Sequence, residues 1–195
     1  MANDHKIKTL GLFCGSYEGN SPIYRDGSLE LAQELINRQI SLVYGGGGIG
    51  LMGLVSNTLY RKVPKVTGII PKKLYEAVKN HEHREDELII VDGMHERKAL
   101  MYEKADAFIA LPGGVGTLEE IMEVFTWLHL GYHRKPVGLL DTNGFYQHLM
   151  QFLIHSSNEG FLKPILLNSL CIDSDPPRLL EKMEKMNLSL PSKFS

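Results

Sequence analysis

The residues of this chain best suited to chemistry lie in Leu111-Pro112-Gly113-Gly114-Val115-Gly116-Thr117-Leu118-Glu119-Glu120. The apolar run Ala107-Phe108-Ile109-Ala110 precedes this stretch and the amphipathic segment from Ile121 to Leu128 follows it, an order that reads strand, glycine turn, helix. A helix start leaves backbone N–H groups unpaired and carries the positive end of the helix dipole, and both suit a phosphate. Glycines let that backbone approach an anion with no Cβ in the way. Thr117 adds a hydroxyl, as a phosphate donor or an N-cap. Glu120 stands three residues further on, and Thr-x-x-Glu is also the pattern of a capping box. The carboxylate therefore has two readings, a helix cap or a catalytic group beside a phosphate cradle.

Cations that could serve such a site occur in Met94-His95-Glu96-Arg97-Lys98, at the start of another helical segment. Arg97 offers a planar, permanently charged fork suited to a phosphate or a carboxylate. The alternative is a solvated helix start with an ordinary surface Arg-Lys pair. A second glycine cluster, Gly45-Gly46-Gly47-Gly48-Ile49-Gly50, contains Gly-x-Gly-x-x-Gly between a strand and a helix. It lies after the second strand, and no acidic residue follows at the ribose-binding distance, so a turn lining a smaller nucleotide site is favoured over a dinucleotide site. Neither cluster is followed by Gly-Lys-Ser/Thr, which removes phosphate-loop kinase or ATPase chemistry. His81-Glu82-His83 has no third ligand at fitting spacing, so no metal is expected. His129 and His133 flank Gly131 and mark a helix end. There is no Gly-x-Ser-x-Gly elbow, and Trp127 reads as a core or interface residue.

The elements that must position these residues alternate along the chain. Strands are expected at Thr9–Cys14, Ile40–Tyr44, Val66–Ile70, Leu88–Val91, Asp106–Leu111, Lys135–Leu140 and Leu170–Ile172. Helices are expected through Leu29–Ile36, Leu51–Tyr60, Met94–Lys104, the segment after Thr117, Phe145–Leu153 and Pro177–Met186. Lys72–Glu87 is charged and aperiodic and reads as a mobile loop with one helical turn. Near-continuous apolar strands alternating with helices imply an α/β fold, a single doubly wound Rossmann-like domain with a mainly parallel sheet. Such sheets bind ligands beyond the C-terminal ends of their strands, where both glycine clusters fall.

Composition narrows the classes further. A chain of 195 residues suits one sizeable core, and 43% hydrophobic with 23% charged residues is ordinary for a globular protein. Twenty-one basic against 23 acidic side chains give a net charge of -2, which points to neither nucleic acid nor an acidic membrane surface. Cys14 and Cys171 lie in apolar runs and read as reduced core thiols. Met1–Lys6 lacks the apolar stretch of a signal peptide and no run approaches membrane-spanning length, so a cytoplasmic protein is expected.

Three segments together resemble the Lonely Guy family of cytokinin riboside 5'-monophosphate phosphoribohydrolases, whose members are often labelled lysine decarboxylases. Pro112-Gly113-Gly114-Val115-Gly116-Thr117-Leu118-Glu119-Glu120 is similar to its Pro-Gly-Gly-x-Gly-Thr-x-x-Glu signature. Tyr44–Gly53 resembles its second glycine segment and Met94–Lys98 its Met-His-x-Arg-Lys element, with Cys14-Gly15-Ser16 similar to its first strand end. The resemblance implies hydrolysis of the N-glycosidic bond of a nucleoside 5'-monophosphate by a homodimer, without metal or redox cofactor. It implies Arg97 and Glu120 as the catalytic pair and Gly113, Gly114, Gly116 and Thr117 as the phosphate loop. Val115, Leu118, Glu119, Lys98, Thr126, Gly46 and Ser16 complete the implied substrate-binding set. The chain departs from the family pattern over Lys73–Asp86, where Tyr75-Glu76-Ala77-Val78-Lys79 replaces a segment whose glutamate contacts substrate, with Glu76 as the candidate substitute. The competing readings are a non-catalytic nucleotide or cofactor carrier on the same fold and a dinucleotide oxidoreductase.

Overall fold

The computed structural model describes residues 6–80 and 84–187. Seven strands form one parallel sheet in the order β4-β3-β2-β1-β5-β6-β7. They are β1 (Thr9–Phe13), β2 (Ser41–Tyr44), β3 (Val66–Pro71), β4 (Glu87–Val91), β5 (Ala107–Ala110), β6 (Val137–Leu140) and β7 (Leu170–Asp173). β1 pairs with β2 on one side and with β5 on the other, so the strand order reverses beside β1. A crevice at the C-terminal end of such a reversal is the ordinary ligand position in an open α/β sheet.

The helices are α1 (Pro22–Arg38), α2 (Gly50–Leu59), α3 (Lys72–Val78), α4 (Met94–Lys104), α5 (Val115–Leu130), α6 (Gln147–Asn158), α7 (Pro164–Leu167) and α8 (Pro176–Glu184). Two apolar clusters show how they cover the sheet. Leu31 and Leu35 of α1, Leu51, Val55 and Leu59 of α2, and Leu179, Leu180 and Met183 of α8 pack with Leu10, Leu12 and Leu42. Met101 and Tyr102 of α4, Ile121, Val124, Phe125 and Leu128 of α5, and Leu153 of α6 pack with Phe13, Val43 and Phe108. Leu10 and Leu12 thus face one layer and Phe13 the other, as the two-residue period of a strand requires. Burial on both faces explains why β1, β2, β3, β5 and β6 read as continuous apolar runs.

The structure departs from the sequence expectation in a few places. Lys72–Val78 is a seven-residue helix rather than a loop. Its residues are mostly good helix formers, but it buries none of them, so no apolar period marks it. β6 begins at Val137, after Pro136, rather than at Lys135. Phe145 precedes α6 and follows a 3-10 turn, Thr142–Gly144, and the short α7 was not expected. His81 and His83 lie outside the described residues. α5 ends where the flanking histidines indicate, at Gly131 with a left-handed φ of 79°. Both cysteines are free and buried. Among the described residues no helix is long and apolar enough to cross a membrane.

One tether fixes the end of β5 where the glycine turn begins. The buried Tyr146 hydroxyl donates to the Leu111 carbonyl at 2.6 Å, reaching from the start of α6 across to β5. Tyr146→Phe should remove this bond and leave a buried acceptor unpaired, at a cost of ~1–2 kcal/mol in urea unfolding. An unchanged midpoint would show that the tether contributes nothing.

Candidate functional site

The C-terminal ends of β1, β2 and β5 and the start of α4 enclose the chemistry. The chain leaves β5 through Leu111 and Pro112, and α5 starts directly after the glycine turn with Gly114 as N-cap. This start corrects the capping-box reading. Thr117 is the third helical residue and Glu120 the sixth, and the Gly114 cap has no side-chain hydrogen bond, so neither residue closes the helix end. The helix begins earlier than the Thr-x-x-Glu pattern suggests because Gly114 takes the extended capping conformation itself. The leading N–H groups of this 16-residue helix therefore lie at the glycine turn, free for an anion. Gly113 has a steric role as well, because a Cβ there would overlap the Thr117 hydroxyl and crowd the Gly15 backbone nitrogen.

A cavity of about 570 Å³ opens over this turn. It reaches from Met94 and Arg97 on α4, past Cys14, Gly15, Ser16 and the glycine turn, to Tyr24 and Phe145. Its size falls in the usual range for a small-molecule site. Glu119 and Glu120 line it on the α5 side.

Arg97 and Glu120 meet inside it. The Arg97 Nη1 donates to Glu120 Oε1 at 2.5 Å, and their side chains are only 11% and 12% exposed. The guanidinium is fixed from other directions too: its Nε donates to the Ile69 carbonyl at 3.2 Å, and its Nη1 also contacts the Met94 sulfur at 3.2 Å. Burial pushes the Glu120 carboxyl above its ordinary value near 4.5, with the Arg97 charge and hydrogen bond pulling the other way. Burial, with the Glu120 charge adding to it, likewise raises the Cys14 thiol, so that cysteine stays neutral and is no nucleophile here. The arrangement offers a buried, oriented carboxylate next to an anion-binding helix end, suited to stabilising a cation or activating water.

Of the other residues singled out in the sequence, Ser16, Gly113, Gly114, Val115, Gly116, Thr117 and Glu119 line the cavity with Arg97 and Glu120. Lys98 is buried, and its ammonium is taken up by Glu119 at 2.6 Å and Glu123 at 2.8 Å. Leu118 packs partly into the core, and Thr126 is exposed with its hydroxyl bonded to the Met122 carbonyl at 2.7 Å. Gly46 is buried with a left-handed φ of 71°, against β3 rather than in the cavity wall. Glu76 lies exposed on α3, paired with Lys79 at 2.5 Å, and does not line the cavity. Glu96 takes its bond to the Asp92 backbone N–H at 3.0 Å, closing the start of α4 and leaving Arg97 free to turn inward. Among the described residues no group of three or more His, Cys, Asp or Glu could hold a metal ion.

No local pattern in the sequence marks the wall built by Tyr17, Glu18, Tyr24, Met52 and Phe145. These come from three separate segments with no shared spacing, and only the fold brings Tyr24 and Phe145 edge to face at 5.7 Å. Gly45 was visible as part of a glycine cluster but not in its role. A Cβ there would overlap the Arg97 guanidinium.

The family profile described as "Possible lysine decarboxylase" matches residues 52–183. A "Probable cytokinin riboside 5'-monophosphate phosphoribohydrolase" of Oryza sativa subsp. japonica is 44% identical over 185 residues, covering 95% of this chain and 75% of that protein. A cytokinin riboside 5'-monophosphate phosphoribohydrolase of Arabidopsis thaliana is 45% identical over 184 residues, 94% of this chain and 86% of its own length. The chain belongs to the Lonely Guy family. Solved structures share its fold at lower identity. A molybdenum cofactor binding protein from Rippkaea orientalis superimposes with a TM-score of 0.65 at 22% identity, covering 90% of this chain and 94% of that one. A Moco carrier protein from Chlamydomonas reinhardtii gives 0.64 at 17%, covering 91% and 99%. These likenesses speak to the Rossmann-like architecture alone.

Within this Lonely Guy chain the Arg97–Glu120 contact depends on the absence of a side chain at position 45. Gly45→Ala should drive the guanidinium off Glu120 and remove a charge that holds its carboxyl down. The Glu120 titration, followed by side-chain carbon NMR, should move further up in pH. A titration matching that of the parent protein would show that Arg97 does not depend on Gly45.

Proposed function

We propose that this chain hydrolyses the N-glycosidic bond of an adenine or cytokinin riboside 5'-monophosphate, releasing the free base and ribose 5-phosphate. The observation that carries this reading is the buried Arg97–Glu120 pair at the cavity wall, beside the free helix end of the glycine turn. The names of relatives near 45% identity support it. The 5'-phosphate sits on the N–H groups of Gly113, Gly114 and Gly116, with the Thr117 hydroxyl and Ser16 beside it. Its binding positions the ribose, so a remote group contributes to the reaction without taking part in it. As the C–N bond breaks, positive charge builds on the sugar. The Glu120 carboxylate stabilises it and orients or deprotonates the attacking water, whose oxygen bonds to the anomeric carbon, while the base leaves with the electron pair of the C–N bond and takes up a proton from solvent. Arg97 is a poor proton donor because it stays protonated. Its part is to hold Glu120 and balance charge near the phosphate.

The protein acts in the cytoplasm and as a homodimer in this reading. Val115 at 84% and Met94 at 43% exposure place apolar side chains at the cavity mouth, where a second copy would cover them. No specific observation favours the carrier alternative, because the molybdenum-cofactor-binding neighbours share only the fold.

Incubation with AMP and with isopentenyladenosine monophosphate, followed by chromatography for the free base, tests the activity directly. Glu120→Gln should still bind AMP but lose at least ~10²-fold in turnover, the scale of a positioned acid–base group. Near-normal base release by this variant would remove Glu120 from the mechanism. Adenosine, lacking the phosphate, should be a poor substrate, and turnover equal to that of AMP would rule out the phosphate cradle.

The pH profile follows from the burial of Glu120. The active form is ionised, and its carboxyl titrates above 4.5. Activity should therefore fall as pH drops through that raised value, an acid limb that the Gln variant should not show. A limb at the ordinary carboxylate value, or one persisting in the variant, would assign it to another group.

A further inference from the structure

The seam between α4 and α5 is built as a ladder that ends at the active pair. At its core end the Tyr102 and Trp127 rings meet edge to face at 5.3 Å. One helical turn toward the site, the Tyr102 hydroxyl donates to Glu123. The next rung is Lys98, four residues before Tyr102, whose ammonium bridges Glu123 at 2.8 Å and Glu119 at 2.6 Å. The last rung is Arg97 on Glu120. Steps of four residues, Tyr102 to Lys98 on α4 and Trp127 to Glu123 to Glu119 on α5, keep these groups on the facing surfaces, and Arg97 and Glu120 directly adjoin Lys98 and Glu119 in sequence.

We propose that Lys98 is a positioning residue for the hydrolysis described above, acting as a clamp that holds the first turns of α5 against α4 so that Glu120 meets Arg97. This rests on the assigned role of that pair and replaces the substrate contact that the family resemblance implies for Lys98. Three observations carry it. The Lys98 side chain is only 8% exposed, and its ammonium is engaged by two carboxylates. It does not line the cavity, whereas its neighbours Arg97 and Glu119 do. Among the described residues it is also the cation joining Glu119 and Glu123, which stand on either side of Glu120 along α5. Without it, the two carboxylates lose their shared cation and the first turns of α5 lose a charged tie to α4, while Glu120 remains on the same helix. Burial alone would pull the ammonium down, but its bonds to Glu119 and Glu123 outweigh this and hold it above its ordinary value, so the clamp stays charged.

The test is Lys98→Met with Lys98→Arg as the conservative companion, assayed on AMP. Lys98→Met should lower kcat by ~10- to 100-fold while the Kd for AMP, measured by calorimetry, changes less than about twofold, and Lys98→Arg should recover most of the loss. Glu123→Gln should lower kcat in the same direction and should add little to Lys98→Met in the double variant, because the two act through one contact. A weaker Kd with kcat unchanged would show that Lys98 touches the substrate and would overturn the proposal. Parent-level kinetics in both Lys98→Met and Glu123→Gln would overturn it as well. A crystal structure of either variant provides a readout independent of turnover. The Arg97–Glu120 contact should open beyond hydrogen-bonding distance, and retention of the 2.5 Å contact would refute the clamp. If the parent protein releases no base from AMP, the proposed hydrolysis fails, while the structural readout still decides the clamp.

Discussion

The site depends on one buried ion pair, and much of the surrounding structure serves to make that pair tolerable. A carboxylate and a guanidinium withdrawn from water each lose hydration that their mutual attraction recovers only when the geometry is good and the remaining polar atoms are satisfied. Arg97 meets this demand with three partners: Glu120, the Ile69 carbonyl and the Met94 sulfur. Those partners sit on α5, β3 and α4, so the pair can form only when the sheet and both helices are already in place. Gly45 keeps the end of β2 out of the space that the guanidinium occupies. The second glycine cluster is thus tied to the pair as much as to any ligand, which explains a glycine-rich turn that is neither a dinucleotide fingerprint nor a phosphate loop.

The proposed mechanism places an anion beside a catalytic carboxylate, which creates an electrostatic conflict. A phosphate on the glycine turn and an ionised Glu120 are like charges, and both are partly shielded from solvent, where charges interact more strongly. Two fixed positive features oppose that repulsion. One is the N-terminus of α5, a sixteen-residue helix whose first N–H groups have no side-chain cap. The other is Arg97, hydrogen-bonded to the carboxylate itself. A side-chain oxygen capping Gly114 would have occupied the N–H groups the phosphate needs. The missing cap is what frees them, and the early start of the helix moves Glu120 from the end of the helix onto its inward face.

Much of this was legible in the sequence, and the exceptions share a physical cause. Strands buried on both faces announce themselves by apolar runs, and glycine turns by composition, so the sheet and the ligand-binding edge could be read directly. α3 could not, because a helix that buries no side chain leaves no period. Glu120 could not be resolved from local pattern, since Thr-x-x-Glu satisfies a capping box and a site equally well and only the position of Gly114 as N-cap separates them. Lys98 reads locally as a surface cation. Its burial follows from Glu119 and Glu123, more than twenty residues away, which no local window connects to it. The aromatic wall of Tyr24 and Phe145 was invisible for the same reason, its two rings coming from α1 and the turn before α6, far apart in sequence.

Shared architecture with cofactor-carrying proteins raises the question of what separates binding from catalysis on one scaffold. A crevice at the strand reversal and a helix end that accepts an anion are properties of the architecture, and they suffice for a binding protein. Hydrolysis asks for more, a carboxylate held within a narrow range of position while remaining able to change its protonation state. Secondary-structure elements provide such precision better than loops do. In this chain the carboxylate and its partner lie on two helices docked side by side, with the Ile69 carbonyl of β3 holding the guanidinium from behind. The seam runs without interruption from the Tyr102–Trp127 ring contact in the core to the Arg97–Glu120 pair at the cavity wall. The rigidity of the core is thereby delivered to the reacting end, and the glycine turn, which must stay accessible to ligand, need not provide it.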